Sequence, residues 1–309
     1  MGSLVAGRFE LKRMIGRGAF GTVHQGIDLD SSEPVAVKVE PSTSKRPLLL
    51  YEARVCKSLA GKPGFPRLRY CGFEPRRSVL VMDLLGPSLT RLRALCGGRL
   101  SFKTVLMLGI QLMNRLEDLH SEGYIHRDIS EANVLLGRGE DDQIVHLIDY
   151  GLCKRFRDAV TQKHIGYRQK SVLKGTMVFA SLNALRGGEL SRRDDLEAVG
   201  YLLLFLLRGS LPWQTLPKTY TKRAAYEELV RARGSESLED MCSDLPQGGQ
   251  ELTEYLTYCR GLGFEEDPDY DRLRTLFLDA MAREGYEHDL VYDWQGLDAA
   301  AADAPAGAR

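Results

Sequence analysis

The run His126-Arg127-Asp128-Ile129-Ser130-Glu131-Ala132-Asn133, followed sixteen residues after Asn133 by Asp149-Tyr150-Gly151, decides how this chain of 309 residues is read. Apolar runs flank both pieces: Val134-Leu135-Leu136 after the first and Val145-His146-Leu147-Ile148 before the second. Such runs predict two short strands. Asn133 and Asp149 are then placed where two hard oxygens can converge on a magnesium ion that bridges phosphates. Asp128, five residues before Asn133, is the candidate acceptor for the proton of a substrate hydroxyl.

Upstream, Gly16-Arg17-Gly18-Ala19-Phe20-Gly21 lies between the strand-like runs Phe9-Glu10-Leu11 and Thr22-Val23-His24. That setting favours a hairpin whose amides cover phosphates, whereas a dinucleotide-binding turn would lead from strand into helix. Standing alone, the glycines read equally well as an ordinary turn. Val35-Ala36-Val37-Lys38 follows, its lysine seventeen residues after Gly21. A lysine in an apolar strand is costly to bury without an anion. Lys38 is therefore expected on the α- and β-phosphates, with Glu52 as its partner from a helix predicted from about Leu48 to Leu59. An edge-strand lysine in water is the plain alternative. Taken together, in this order and on these element types, the four motifs match the phosphoryl-transfer apparatus of protein kinases, with ATP and magnesium as cofactors.

The rest of the chain fits a two-lobed α+β molecule. The first 85 residues are strand-rich and carry one helix. After Leu85, apolar residues recur at helical spacing through Thr104 to His120, and helices are predicted for 195–207, 221–231, 248–262 and 270–284. The expected architecture is the protein-kinase fold over 9–295: a small antiparallel-sheet N-lobe (about 9–85) and a larger, mainly helical C-lobe (about 86–295). The hinge is expected near Met82 to Gly86, and 296–309 is expected to be a disordered tail.

Composition narrows the partners. Lys plus Arg equals Asp plus Glu, at 42 each, so no net field favours nucleic acid or a membrane surface. The six cysteines have neither CxxC nor zinc spacing and read as free thiols. The amino-terminal residues lack a signal-peptide run, and Ala6 breaks the myristoylation pattern. The expectation is a soluble cytoplasmic or nuclear monomer acting on protein substrates.

From Phe9 to Trp294 the chain resembles the casein kinase I family. The carrying segments are LLGPSL at 84–89, SRRDDLEAVGY at 191–201, RGSLPWQ at 208–214 and PDYDRLRTLF at 268–277. Ser181-Leu182-Asn183 stands where that family has Ser-Ile-Asn in place of the usual Ala-Pro-Glu. The resemblance implies a serine/threonine kinase that favours acidic or already phosphorylated substrates and seldom needs activation-segment phosphorylation. It places Met82 at the gatekeeper, Asp83, Leu84 and Leu85 in the hinge, and the Leu85 backbone on adenine. It also implies that Ile15, Val23, Ala36 and Leu135 sandwich the base, and that Asp195 braces the catalytic loop. Read without the resemblance, Asp194 and Asp195 also suit a solvated helix start.

Departures from the family pattern bear on activity. Ser130 replaces the lysine two residues after the catalytic aspartate, which removes a positive charge from the transferring phosphoryl group. Lys174 is a conceivable substitute. Val178 stands where an arginine binds the phosphate of a primed substrate, and Ala225 replaces a lysine of the same site. Tyr150 keeps the ring of the usual phenylalanine, but its hydroxyl needs a partner if buried. Two further readings stay open: a nucleotide-binding pseudokinase acting as a scaffold, and a small-molecule kinase on the same fold.

Overall fold

The computed structural model describes residues 3–18, 21–42, 48–169, 175–215, 222–235 and 237–297. Strands β1 (Leu4–Val5), β2 (Phe9–Arg17), β3 (Thr22–Asp28), β4 (Pro34–Pro41), β5 (Leu68–Glu74) and β6 (Arg77–Asp83) form one antiparallel sheet in the order β1-β2-β3-β4-β6-β5. Helix α1 (Leu49–Ser58) packs against it. The strand alternation expected of a half-covered sheet is clear in β4, where Val35 and Val37 are fully buried and Ala36 and Lys38 face the other way. Sequence reading missed β1 and β5.

The larger lobe is built from α2 (Leu89–Leu95), α3 (Phe102–Ser121), α4 (Leu182–Leu185), α5 (Arg192–Arg208), α6 (Lys222–Ser235), α7 (Leu238–Cys242), α8 (Gly249–Gly261) and α9 (Tyr270–Arg283). Two strand pairs, β7 (Tyr124–Ile125) with β10 (Lys154–Arg155) and β8 (Val134–Leu136) with β9 (Val145–Leu147), frame the loops between them. The two-lobed α+β expectation holds. The short helices α2, α4 and α7 were not anticipated, and the expected tail lies outside the described residues beyond 297.

Helix α5 is the axis of this lobe. Leu196, Val199 and Leu202 through Leu204 are fully buried, and so are Tyr201 and Leu206. A helix that is apolar on all sides belongs inside a core. It starts three residues before the predicted Asp195, because Ser191 and Asp194 form a capping box that satisfies the first amides. Gly209, at φ 87°, ends it in the left-handed region.

Helix α3 crosses α5 and α9. At Gly109 the fit leaves no room: a Cβ there would lie 2.8 Å from the Phe277 ring and 3.2 Å from Leu203. In an open helix Gly→Ala would add about 1 kcal/mol of stability, but overpacking a tight core costs about 1–3 kcal/mol. Gly109→Ala is therefore expected to lose about 1 kcal/mol net, read as a lower midpoint in urea unfolding.

Asp194 provides a pH-dependent counterpart. Burial lifts its carboxyl to about 7, although the Ser181 hydroxyl and the Ser191 amide, 2.5 and 2.7 Å away, favour the anion. A folded value above the unfolded one means that Asp194 favours folding below about pH 4 and loses that advantage as pH rises through 7. The Tm of the wild type relative to Asp194→Asn is expected to fall between pH 5 and pH 8.

Candidate active site

The site forms where the sheet meets the helical lobe. Register places Val23 opposite Lys38 and Ala36 opposite Met82, so the four share one sheet region. Val23, Ala36, Met82, Leu85 and Leu135 are half-buried, and Ile15 is exposed. The glycine-rich segment forms the predicted β2–β3 hairpin: Gly16 pairs with Val23, Arg17 with Thr22, and the Gly18 amide donates to Gly21 O at 2.9 Å. Ala19 and Phe20 lie outside the described residues.

Lys38 on β4 reaches Glu52 on α1 at 2.7 Å and Asp149 at 2.9 Å. These three residues come from distant parts of the chain. Burial works against the ammonium, but the two carboxylates outweigh it and hold the Lys38 pKa above its ordinary value. The Asp149 carboxyl, although partly desolvated, is held below the usual range by Lys38. Glu52 is oriented by its helix, which buries Leu49, Ala53, Val55 and Cys56 on the same side.

The catalytic loop runs from β7 to β8. Its backbone hangs on Asp195, whose two oxygens accept from the His126 amide at 2.6 Å and the Arg127 amide at 2.8 Å. His120, itself 2.5 Å from the Tyr270 hydroxyl, adds a contact of 3.0 Å to the same carboxylate. Burial would raise the Asp195 pKa, yet these partners hold it low. So fastened, Arg127 adopts φ 68°, a conformation that non-glycine residues rarely keep without such support.

Asp128 is gripped on both sides. Its Oδ1 accepts from the Thr176 amide and hydroxyl, each at 2.7 Å, and its Oδ2 from Asn133 Nδ2 at 3.2 Å. Gly175, at φ 88°, makes the first contact possible, because a Cβ there would lie 2.3 Å from Arg127 O. Asn133 Nδ2 also donates to Asp128 O at 2.9 Å. With its nitrogen committed, the Asn133 carbonyl oxygen is left to act as an acceptor. Asn133 and Asp149 thus offer hard oxygens of the kind magnesium takes. Among the described residues, no group of three or more His, Cys, Asp or Glu side chains forms a metal cage.

Asp149, at φ 66°, turns the chain so that Tyr150 plunges into the core, 1% exposed. Its hydroxyl donates to Leu147 O, which supplies the partner that burial demands, and its ring lies against Phe65 and His126.

The departures can also be located. Ser130 is buried at 3% exposure, and the arginines of the loop and of α2 are engaged elsewhere. Arg127 donates to Leu152 O and Cys153 O, and Arg93 pairs with Glu131 at 2.9 Å. Lys174 lies outside the described residues, as does the side chain of Ala225. Val178 is half-buried, and its carbonyl accepts from the Trp213 indole at 2.9 Å. Sequence reading missed the Thr176 grip on Asp128 and the role of His120. The partners of both contacts are far away along the chain.

Among the described residues no helix is long and apolar enough to cross a membrane. A family model described as a protein kinase domain matches residues 9–259, well over half of the chain. That span takes in the hairpin, the Lys38–Glu52–Asp149 contacts and the gripped Asp128, and the chain belongs to the protein kinase family.

Proposed function

We propose that this chain is an active serine/threonine protein kinase of the casein kinase I type, one domain over 9–295, working as a monomer in the cytoplasm or nucleus. The observation that carries the reading is the closed contact of Lys38 with both Glu52 and Asp149. It brings the strand lysine, the helix carboxylate and the metal-ligand candidate into one cluster, the arrangement that phosphoryl transfer needs.

Each residue then has a task. Ile15, Val23, Ala36, Met82 and Leu135 enclose adenine, and the hinge backbone at Asp83 and Leu85 reads its edge. Gly16, Gly18 and Gly21 let the hairpin lie close over the phosphates. Lys38, steadied by Glu52, holds the α- and β-phosphates. Asn133 and Asp149 would hold magnesium, which when bound would neutralise charge on the phosphates. Asp128, fixed by Thr176 and Asn133, takes the proton of the substrate hydroxyl. The hydroxyl oxygen bonds to the γ-phosphorus, the bond from that phosphorus to the β–γ bridging oxygen breaks, and ADP leaves. Most of the catalysis in this chemistry comes from positioning and charge, so the loss of the loop lysine at Ser130 slows the step without abolishing it.

The pseudokinase reading draws on one observation: Arg127, three residues before Ser130, and Arg93, paired with the adjacent Glu131, are both committed to other partners. Transfer from labelled ATP to casein and to a mixed Ser/Thr/Tyr peptide array separates the two readings. Wild-type activity on Ser/Thr peptides is expected. Asp149→Ala should lower it by at least about a hundredfold, and Ser130→Lys should raise kcat by roughly tenfold to a thousandfold. Nucleotide binding with no transfer, rescued by Ser130→Lys, would establish the scaffold instead.

Val178 and Ala225 support a second specificity proposal: the enzyme does not require a phosphate on its substrate. Paired peptides with and without a phosphoserine three residues upstream are expected to give similar kcat/KM. A preference for the phosphopeptide above about tenfold, the weight of a lost charged contact, counts against it.

A further inference from the structure

We propose that Arg69 is a positioning residue for the nucleotide: through Asp83 it fixes the sheet end of the hinge. The proposal rests on the reading of the hinge given above. Strands β5 and β6 pair Leu68 with Met82 and Tyr70 with Val81, so Arg69 is the extra residue of a β-bulge beside the hinge. A bulge redirects a side chain that regular alternation would send elsewhere. Here Arg69 Nε meets Asp83 Oδ1 at 2.6 Å, while Nη1 meets Glu33 Oε2 at 2.5 Å and lies 3.8 Å from Asp28 Oδ2. Arg69 is largely buried, at 12% side-chain exposure. The grip is therefore better shielded from salt and water than a surface pair would be.

The backbone closes around the same carboxylate. Asp83 N donates to Arg67 O at 3.1 Å, and Arg67 N donates back to Asp83 Oδ2 at 3.1 Å. At the other end of the hinge, Gly86 N donates to Leu136 O at 2.8 Å, and Leu136 N to Pro87 O at 3.1 Å. The hinge is thus fastened at both ends, by a charged side-chain contact on the sheet side and by backbone pairing on the helical side. Leu84 and Leu85 lie between these fastenings. An adenine that reads this backbone needs it held in one geometry before it binds, and preorganisation of that kind appears as affinity for the nucleotide. Arg69 need not touch the nucleotide to supply it.

The experiment measures ADP affinity by calorimetry, together with kcat and the KM values for ATP and casein, for wild type, Arg69→Ala, Arg69→Lys and Glu33→Gln. Arg69→Ala is expected to weaken ADP binding and raise the KM for ATP by about tenfold, the weight of one lost charge-assisted contact. Its kcat at saturating ATP and its KM for casein should stay within about twofold of wild type, since uniform binding alone is lost. Arg69→Lys should recover part of the affinity. Glu33→Gln, which removes the nearer of the two carboxylates on the far side of Arg69, should weaken ADP binding by about two- to threefold. Where Arg69→Ala fails to fold, the other two variants carry the same comparison. Wild-type affinity in Arg69→Ala overturns the proposal. So does a fall in kcat as large as the fall in affinity with no rescue by Arg69→Lys, which would mark a purely structural role. Wild type that binds no ADP overturns the underlying hinge reading and the clamp with it.

Discussion

A single buried carboxylate organises the centre of this molecule. Asp195 receives the amides of His126 and Arg127 and a ring nitrogen of His120. An anion removed from water is tolerable only when hydrogen-bonded on all sides. Asp195 can serve as an anchor because α5, whose Leu196, Val199 and Leu202 through Leu204 are fully buried, fixes it in a close-packed core. The catalytic loop, the strained φ of Arg127 and the placement of Asp128 all follow from that fastening.

The site is correspondingly layered. The groups proposed to face the reaction are held by groups that do not: Asp128 by Thr176, Lys38 by Glu52, and the hinge by the contacts around Asp83. Charges that attract phosphate are useful only when they do not collapse onto one another, so each carries a partner that limits its movement. The triad of Lys38, Glu52 and Asp149 shows the balance. Two carboxylates on one ammonium leave a net negative charge, which a bound cation would offset.

Much of this was readable from the residues alone, and the reason is locality. Asp128, Asn133 and Asp149 stand at fixed short spacings because one loop and one strand pair carry them. Helix α5 was visible because its apolar run is unbroken from Leu202 to Leu207. Strand β5 was hidden because Arg69 and Gly72 interrupt its apolar pattern, and the bulge that explains Arg69 exists only once β6 lies beside it. Helix α2 is a single short segment in which Arg91 and Arg93 alternate with leucines, too brief for periodicity to decide. Thr176 could be named from the sequence but not assigned a partner 48 residues away. Contacts of that kind are set by tertiary packing, on which local pattern is silent.

The Tyr150 hydroxyl has a consequence for inhibition. Some ligands would occupy the cleft only after Tyr150, the residue following the candidate metal ligand Asp149, swings out of the core. Here that movement breaks a buried hydrogen bond to Leu147 O and withdraws a ring seated against Phe65 and His126. Leaving the carbonyl unsatisfied costs about 1–3 kcal/mol, so the swung-out population is smaller by roughly 5- to 150-fold than it would be without the hydroxyl. A compound that selects that state loses the same factor in apparent affinity. The pharmacology of this cleft therefore favours compounds that accept the aspartate and tyrosine as they stand.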